Sequence, residues 1–350
     1  MGLREENIKE HPDFPWLDVD DRDGVARCLT QQGLLENGES VESVTRAGEG
    51  NMNLTLRVTT NQREFVLKQA RPWVEKYPEI AAPWDRILFE QRYYQRGTSI
   101  PEVARRSPHL LGVDSDSRTI AMEYIADAED LTSVYTGGEI RRDELDALAG
   151  YLAALHESTS GEFTEDFANR EMRTLNHEHI FVIPFTANNG LELDAFEPGL
   201  MDSAAELIAD SALCEAVAFL GQRYLADGEC LLHGDYFPGS WMRNEDGIWV
   251  IDPEFCYYGD PEFDLGVATA HFAIAQRPQA DAAHFLKCYT EKTPAVDHAL
   301  LARYAGTEII RRLIGVAQLP LPPSEGFRSR LLERARAAVL ESSWETLWEA

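Results

Sequence analysis

The sequence predicts an α+β chain in two halves, an antiparallel sheet within residues 1–125 and a mainly helical part over 126–350. Three observations lead there. β-prone runs separated by turn residues crowd the stretch before Lys68. Helical periodicity sets in only from Arg141. Between Leu231 and Gly266, two acidic loops flank a short hairpin signal.

The first half opens with a short amphipathic helix over Val19–Leu35, stopped near Gly33. Val41–Arg46, Leu54–Thr59 and Glu64–Lys68 read as three strands of a meander. A glycine-containing turn, Gly48 to Asn53, joins the first two, and Asn61-Gln62 turns the chain before the third. Arg71–Ile80 is punctuated by Trp, Tyr and Pro and reads as a loop. A helix opens at Trp84-Asp85-Arg86, runs to about Arg96 and carries Glu90. Val113–Asp116 and Arg118–Ile125 form a further hairpin. Its second strand, with Glu123, runs into an acidic hinge over Ala126–Asp130 whose backbone is expected to bond adenine.

In the second half, Leu145, Leu148, Ala149, Leu152 and Leu155 recur at helical spacing, ending near His156, which is expected to pack rather than catalyse. Gly161–Glu192 reads as irregular, and Met201–Asp227 as one helical stretch. Helices are expected over Val267–Ala275, Asp281–Tyr289, Ala299–Leu313 and Phe327–Trp348.

Composition narrows the function. A hydrophobic fraction of 44% in 350 residues supports a large core. The net charge of −28 argues against nucleic acid and anionic membranes as partners. The 5 cysteines show neither a C-x-x-C nor a zinc spacing, which fits free thiols in a reducing cytoplasm. The polar start lacks the pattern of a signal peptide, and no run of about eighteen apolar residues suggests a membrane span.

The chemistry is concentrated in LLHGDYFPGSWMRNEDGIWVIDPEFCYYGDPEFDLG, Leu231–Gly266. The hairpin between its loops is Trp241–Arg243, a turn over Asn244–Gly247, and Ile248–Ile251. Asp235 and Asp252 then have the order that phosphoryl transfer uses. One carboxylate accepts the proton of the attacking hydroxyl, and the other holds the magnesium that neutralises the phosphates. His233 precedes Asp235, and Ser240 stands where protein kinases carry asparagine. Ahead of these, the Gly48–Asn53 turn is placed to cover a triphosphate, and Lys68 to grip it.

These residues resemble the aminoglycoside phosphotransferase and choline kinase superfamily, and within it the 5-methylthioribose kinase family. The similarity is carried by GEGNMN (48–53), KQARPWV (68–74), Asp85-Arg86 through Glu90, HGD with Gly239-Ser240, IDPEFCYYG, FDLG, and Ile310-Arg311-Arg312. It implies a two-lobed protein-kinase-like fold, with a nucleotide-binding lobe over 1–125 and a catalytic, substrate-binding lobe over 126–350. It implies ATP and magnesium as cofactors and the anomeric hydroxyl of methylthioribose as acceptor, in methionine salvage. Carried over, Asp235 is the base, and Asp252 with Glu254 holds the metal. Gly48, Gly50, Asn51, Asn53, Lys68, Glu90, Glu123 and Ser240 serve the nucleotide. Arg311 and Arg312 face the ribose and the transferred phosphate. Another sugar, an amino alcohol or an aminoglycoside is the alternative acceptor. A non-catalytic nucleotide-binding protein is the alternative class. The expected partner is a small molecule, with homodimerisation left open.

Overall fold

The computed structural model describes residues 2–48, 52–187, 189–319, 321–322 and 325–349. The chain forms two compact units. One comprises Met1–Asp127 with Asp252–Glu254, and the other comprises Ala128–Ile251 with Phe255–Ala350. Asp252–Glu254, which position in the sequence assigns to the helical half, thus packs with the first unit.

The first unit is built on strands β1 (Val41–Arg46), β2 (Leu54–Thr60), β3 (Glu64–Gln69), β4 (Trp73–Val74), β5 (Tyr77–Ala81), β6 (Leu110–Asp114) and β7 (Thr119–Glu123). Five of them make one sheet in the order β1-β2-β3-β7-β6, every neighbour antiparallel. Alternation explains its burial. Leu54, Leu56 and Val58 of β2 all point to one face, as period two requires. There they meet Phe65, Leu67 and Ala121 of the sheet, and Val25, Cys28 and Leu29 of the Arg22–Gln31 helix. Asp21 caps that helix, its Oδ1 accepting from Gly24 N at 2.8 Å.

Arg71–Ile80 is not the expected loop but contains the β4–β5 hairpin. Its strands are too short and too broken by proline for a periodic signal. The hairpin is held by long-range aromatic packing, with Trp16 stacked on both Trp73 and Trp84.

The second unit is mainly helical. Its small strands are β8 (Glu129–Asp130), β9 (Cys230–Leu232), β10 (Trp241–Asn244), β11 (Gly247–Val250) and β12 (Tyr257–Gly259). The β10–β11 hairpin turns through Asn244 and Gly247, paired opposite each other, with Gly247 at φ +118°. The Pro261–Ile274 helix begins earlier than its apolar run suggests and is buried almost all round. It packs against the His298–Ile314 helix. Gly266 permits the contact, since a Cβ there would lie 2.8 Å from Tyr304 Cβ.

Three other expectations need correction. Gly161–Glu192 contains the Arg170–His177 helix, anchored from afar by Arg173, which is 2.7 Å from Asp227. Met201–Asp227 is two helices, Leu200–Ala209 and Ser211–Leu225, because Asp210 leaves helical geometry and caps the second. The last helix stops at Glu341, where Ser342 takes a left-handed conformation.

Candidate active site

In the first unit, Lys68 lies on β3 and is buried. Its Nζ donates to Glu90 Oε1 at 2.7 Å and also pairs with Asp252. Glu90 projects from the Arg86–Gly97 helix and is buried. Burial opposes the charge on Lys68, but Asp252, Glu90 and Glu254 outweigh it and hold the ammonium above its ordinary value. Asp252 has φ +63°, a left-handed conformation uncommon outside glycine. Its side chain remains 43% exposed. A half-exposed carboxylate beside a buried ammonium can receive a ligand without giving up its position.

Glu254 is buried, its Oε2 accepting from Asn53 Nδ2 at 2.8 Å and lying 3.6 Å from Arg86 Nε. Burial pushes its carboxyl up to about 8, Arg86 opposing and Glu90 adding to the rise. Arg86, the arginine of the Asp-Arg pair, is a buried anchor that donates to the carbonyls of Arg71, Pro83 and Met52 at 2.6–2.7 Å. Gly48 sits at φ +80°, as its turn requires. Gly50 and Asn51 lie outside the described residues. Glu123 exchanges bonds with His109, its N–H donating at 2.8 Å and its Oε2 accepting from His109 N at 3.1 Å.

In the second unit, Asp264 builds the loop that carries Asp235. Its carboxylate accepts from His233 N at 2.7 Å and Gly234 N at 3.0 Å. His156 Nε2 lies 3.3 Å from the same carboxylate and its Nδ1 2.9 Å from Tyr289 Oη, so His156 is a buried support. His233 Nε2 pairs with the Ile251 carbonyl at 2.9 Å. Gly234 is at φ +85°, and a Cβ would fall 2.2 Å from the Phe255 carbonyl oxygen. The Ser240 hydroxyl donates to the Asp235 carbonyl at 3.0 Å and closes the loop.

Asp235 itself meets two arginines. Arg312 Nη2 lies 3.0 Å and Arg311 Nη1 3.6 Å from Asp235 Oδ1. Adjacent helical residues diverge by about 100°. They converge here because both stems bend onto Glu308, one turn earlier on the same helix. Arg312 Nε is 2.6 Å from Glu308 Oε1, and Arg311 Nη1 is 3.1 Å from Glu308 Oε2. Despite burial, the two guanidiniums hold Glu308 well below the usual carboxylate range. Glu308 is tied in turn to His271 Nε2 at 3.2 Å, and His271 Nδ1 to Tyr135 Oη at 2.5 Å. The Arg312 guanidinium also stacks over Phe237, 4.6 Å from the ring centroid.

Sequence reasoning misses Asp264, Glu308, His271 and Tyr135 as parts of this site. Spacing of three and four residues from the arginine pair could have pointed to Glu308. Tyr135 and His271 are 136 positions apart and give no local signal.

The first unit therefore holds a buried lysine–carboxylate cluster, and the second, by itself, an acidic loop gripped by a paired arginine. Comparison with known proteins agrees with this class: the chain belongs to the phosphotransferase enzyme family, whose sequence pattern matches residues 43–289. Among curated relatives, it is similar to the methylthioribose kinase of Exiguobacterium sibiricum, 29% identical over 280 residues, covering 74% of this chain and 67% of the relative. It is also similar to the methylthioribose kinase of Erwinia tasmaniensis, 28% identical over 344 residues, covering 83% and 84%. Solved structures give the fold. The choline kinase LicA from Streptococcus pneumoniae matches with a TM-score of 0.53 at 17% identity, over 91% of this chain and 98% of that one. Spectinomycin phosphotransferase matches with a TM-score of 0.53 at 15% identity, over 93% and 97%.

Proposed function

We propose that this chain is an ATP- and magnesium-dependent kinase that phosphorylates a sugar hydroxyl, the 1-hydroxyl of 5-methylthioribose or a close relative. The observation that carries the reading is the arginine pair converging on Asp235, in a chain whose relatives are named methylthioribose kinases. Guanidinium groups hold hydroxyls and phosphoryl oxygens in fixed geometry, which suits a neutral polyol better than a polycation.

In this reading Asp235 accepts the acceptor hydroxyl's proton. Arg311 and Arg312 orient the acceptor and the group being transferred. Lys68, fixed by Glu90, holds phosphate oxygens. Gly48, Gly50, Asn51 and Asn53 are assigned to the phosphates, Glu123 to the adenine-binding hinge, and Ser240 to the catalytic loop. Asp252 and Glu254 offer only carboxyl oxygens, the hard donors magnesium prefers, and so fit that ion, whose charge would offset the burial that holds the Glu254 carboxyl up. Magnesium, when bound, neutralises phosphate charge. The first unit serves as the nucleotide lobe and the second as the acceptor lobe. The enzyme would work in methionine salvage in the cytoplasm. No helix among the described residues is long and apolar enough to cross a membrane.

The test is ADP release by purified protein with magnesium and ATP against a panel of sugars, amino alcohols and aminoglycosides. Methylthioribose or a related pentose should give the highest kcat/KM. Preference for an amino alcohol or aminoglycoside overturns the acceptor assignment. Absence of acceptor-stimulated release across the panel leaves the non-catalytic reading.

A further inference from the structure

A second cluster of reactive side chains lies within the second unit, away from Asp235 and its arginines in both sequence and hydrogen bonding. Asp146 lies on the Arg142–Thr159 helix, and His284 and Cys288 on the Gln279–Thr290 helix that packs against it. Four residues apart on one helix, the imidazole and the thiol share a face. One ligand atom from each of the three residues lies within 4.8 Å of the others, and among the described residues no other such group of His, Cys, Asp and Glu occurs.

The separations bear on which ion fits. Cys288 Sγ is 3.3 Å from Asp146 Oδ1 and 3.4 Å from His284 Nε2. Bond lengths of about 2.0–2.3 Å at a tetrahedral centre place neighbouring ligand atoms roughly 3.3–3.7 Å apart. Two edges of the triangle already have that length. The third edge is a hydrogen bond between His284 Nε2 and Asp146 Oδ1 and must lengthen. Asp146 can swing outward, because its side chain is 55% exposed. Thiolate and imidazole select a borderline-soft ion such as zinc over magnesium.

We propose that Asp146, His284 and Cys288 form a zinc-class site with three protein ligands, water completing the tetrahedron. On binding, the Cys288 proton passes to solvent. His284 moves its remaining proton to Nδ1, which now lies 2.8 Å from Arg142 Nη2. Arg142 is exposed and turns away. The ion would then clamp the two helices together. This site is independent of the acceptor and nucleotide assignments above.

Cobalt(II) chloride is the probe, because thiolate ligation gives a near-ultraviolet charge-transfer band that carboxylates do not. Full-length parent protein should develop that band with one equivalent of cobalt, and zinc chloride should abolish it. Cys288→Ser should lose the band, while the same change at Cys214, a free thiol on the separate Ser211–Leu225 helix, keeps it. Asp146→Ala and His284→Asn should each weaken zinc binding by about ten-fold or more, at least the effect of disturbing an outer-shell partner. They also serve if Cys288→Ser fails to fold. Zinc should raise the Tm of the parent and not that of His284→Asn. No thiolate band at one equivalent, or a band that survives in Cys288→Ser, would overturn the proposal and leave a hydrogen-bonded surface cluster. Equal zinc affinity in the parent and both ligand variants would do the same.

Discussion

Arg312 binds Asp235 and Glu308 at once, its Nη2 3.0 Å from Asp235 Oδ1 and its Nε 2.6 Å from Glu308 Oε1. The helix that carries Arg312 therefore fixes where one oxygen of Asp235 lies. With Arg311 included, two buried guanidiniums face two carboxylates, Glu308 buried and Asp235 partly exposed. Removing one member of such a cluster leaves its partners' charge less well compensated.

If Asp235 is the base, Asp235→Asn should keep nucleotide binding and lower turnover by about 10²–10⁴-fold. Steady-state kinetics with an independent nucleotide titration checks this. Near-normal turnover rules the role out.

Arg311→Ala and Arg312→Ala should each lower kcat/KM for the acceptor by about 10- to 100-fold, the worth of one or two hydrogen bonds to a charged group. Nucleotide affinity should stay within about two-fold of the parent, since each side chain is assigned to acceptor and phosphoryl contacts. Unchanged acceptor kinetics in both variants would remove the main support for a sugar acceptor.

Glu308→Gln should destabilise the protein by about 3 kcal/mol or more, because it removes the charge shared by two buried arginines. Urea denaturation at neutral pH measures this. A loss below about 1 kcal/mol would mean that Asp235 alone compensates both.

Lys68→Met should weaken nucleotide affinity and turnover together, with Glu90→Gln doing so less. Lys68 would keep Asp252 when Glu90 is neutralised. If Lys68→Met binds nucleotide as well as the parent does, the β2–β3 region is not the phosphate cradle.

Burial pushes His271 down to about 4 from an ordinary 6.5, with Glu308 opposing through a hydrogen bond. The unfolded chain therefore takes up this proton more readily than the folded one. Stability from the neutral imidazole is present above about 6.5 and is lost as pH falls toward 4. His271→Gln should flatten the stability profile in that window by at most about 3 kcal/mol. Urea midpoints for parent and variant at several pH values test it. Parallel profiles would show that another group carries the acid sensitivity.

Short-range signals determined much of this protein. Strict alternation in Leu54–Thr60 defines a sheet strand with one buried face, whatever it packs on. Asn244 and Gly247 define the hairpin after the Asp235 loop, because Gly247 alone meets the turn's positive φ at little cost. The motifs around Lys68, Glu90, Asp235 and Asp252 were legible because they follow the order in which phosphoryl transfer uses such residue types, and the family pattern spans all four. Tertiary structure decided what depends on distant partners. The β4–β5 hairpin is packed by a residue far away in the chain, Trp16, which stacks on Trp73 and also on Trp84. The Asp235 loop takes its shape from Asp264, which accepts the His233 and Gly234 amides. Whether two adjacent arginines aim at one carboxylate could not be read from helical spacing, which sends them apart. Glu308 and the packing around it brought them together, since a buried charge needs a partner and both guanidiniums found the same ones.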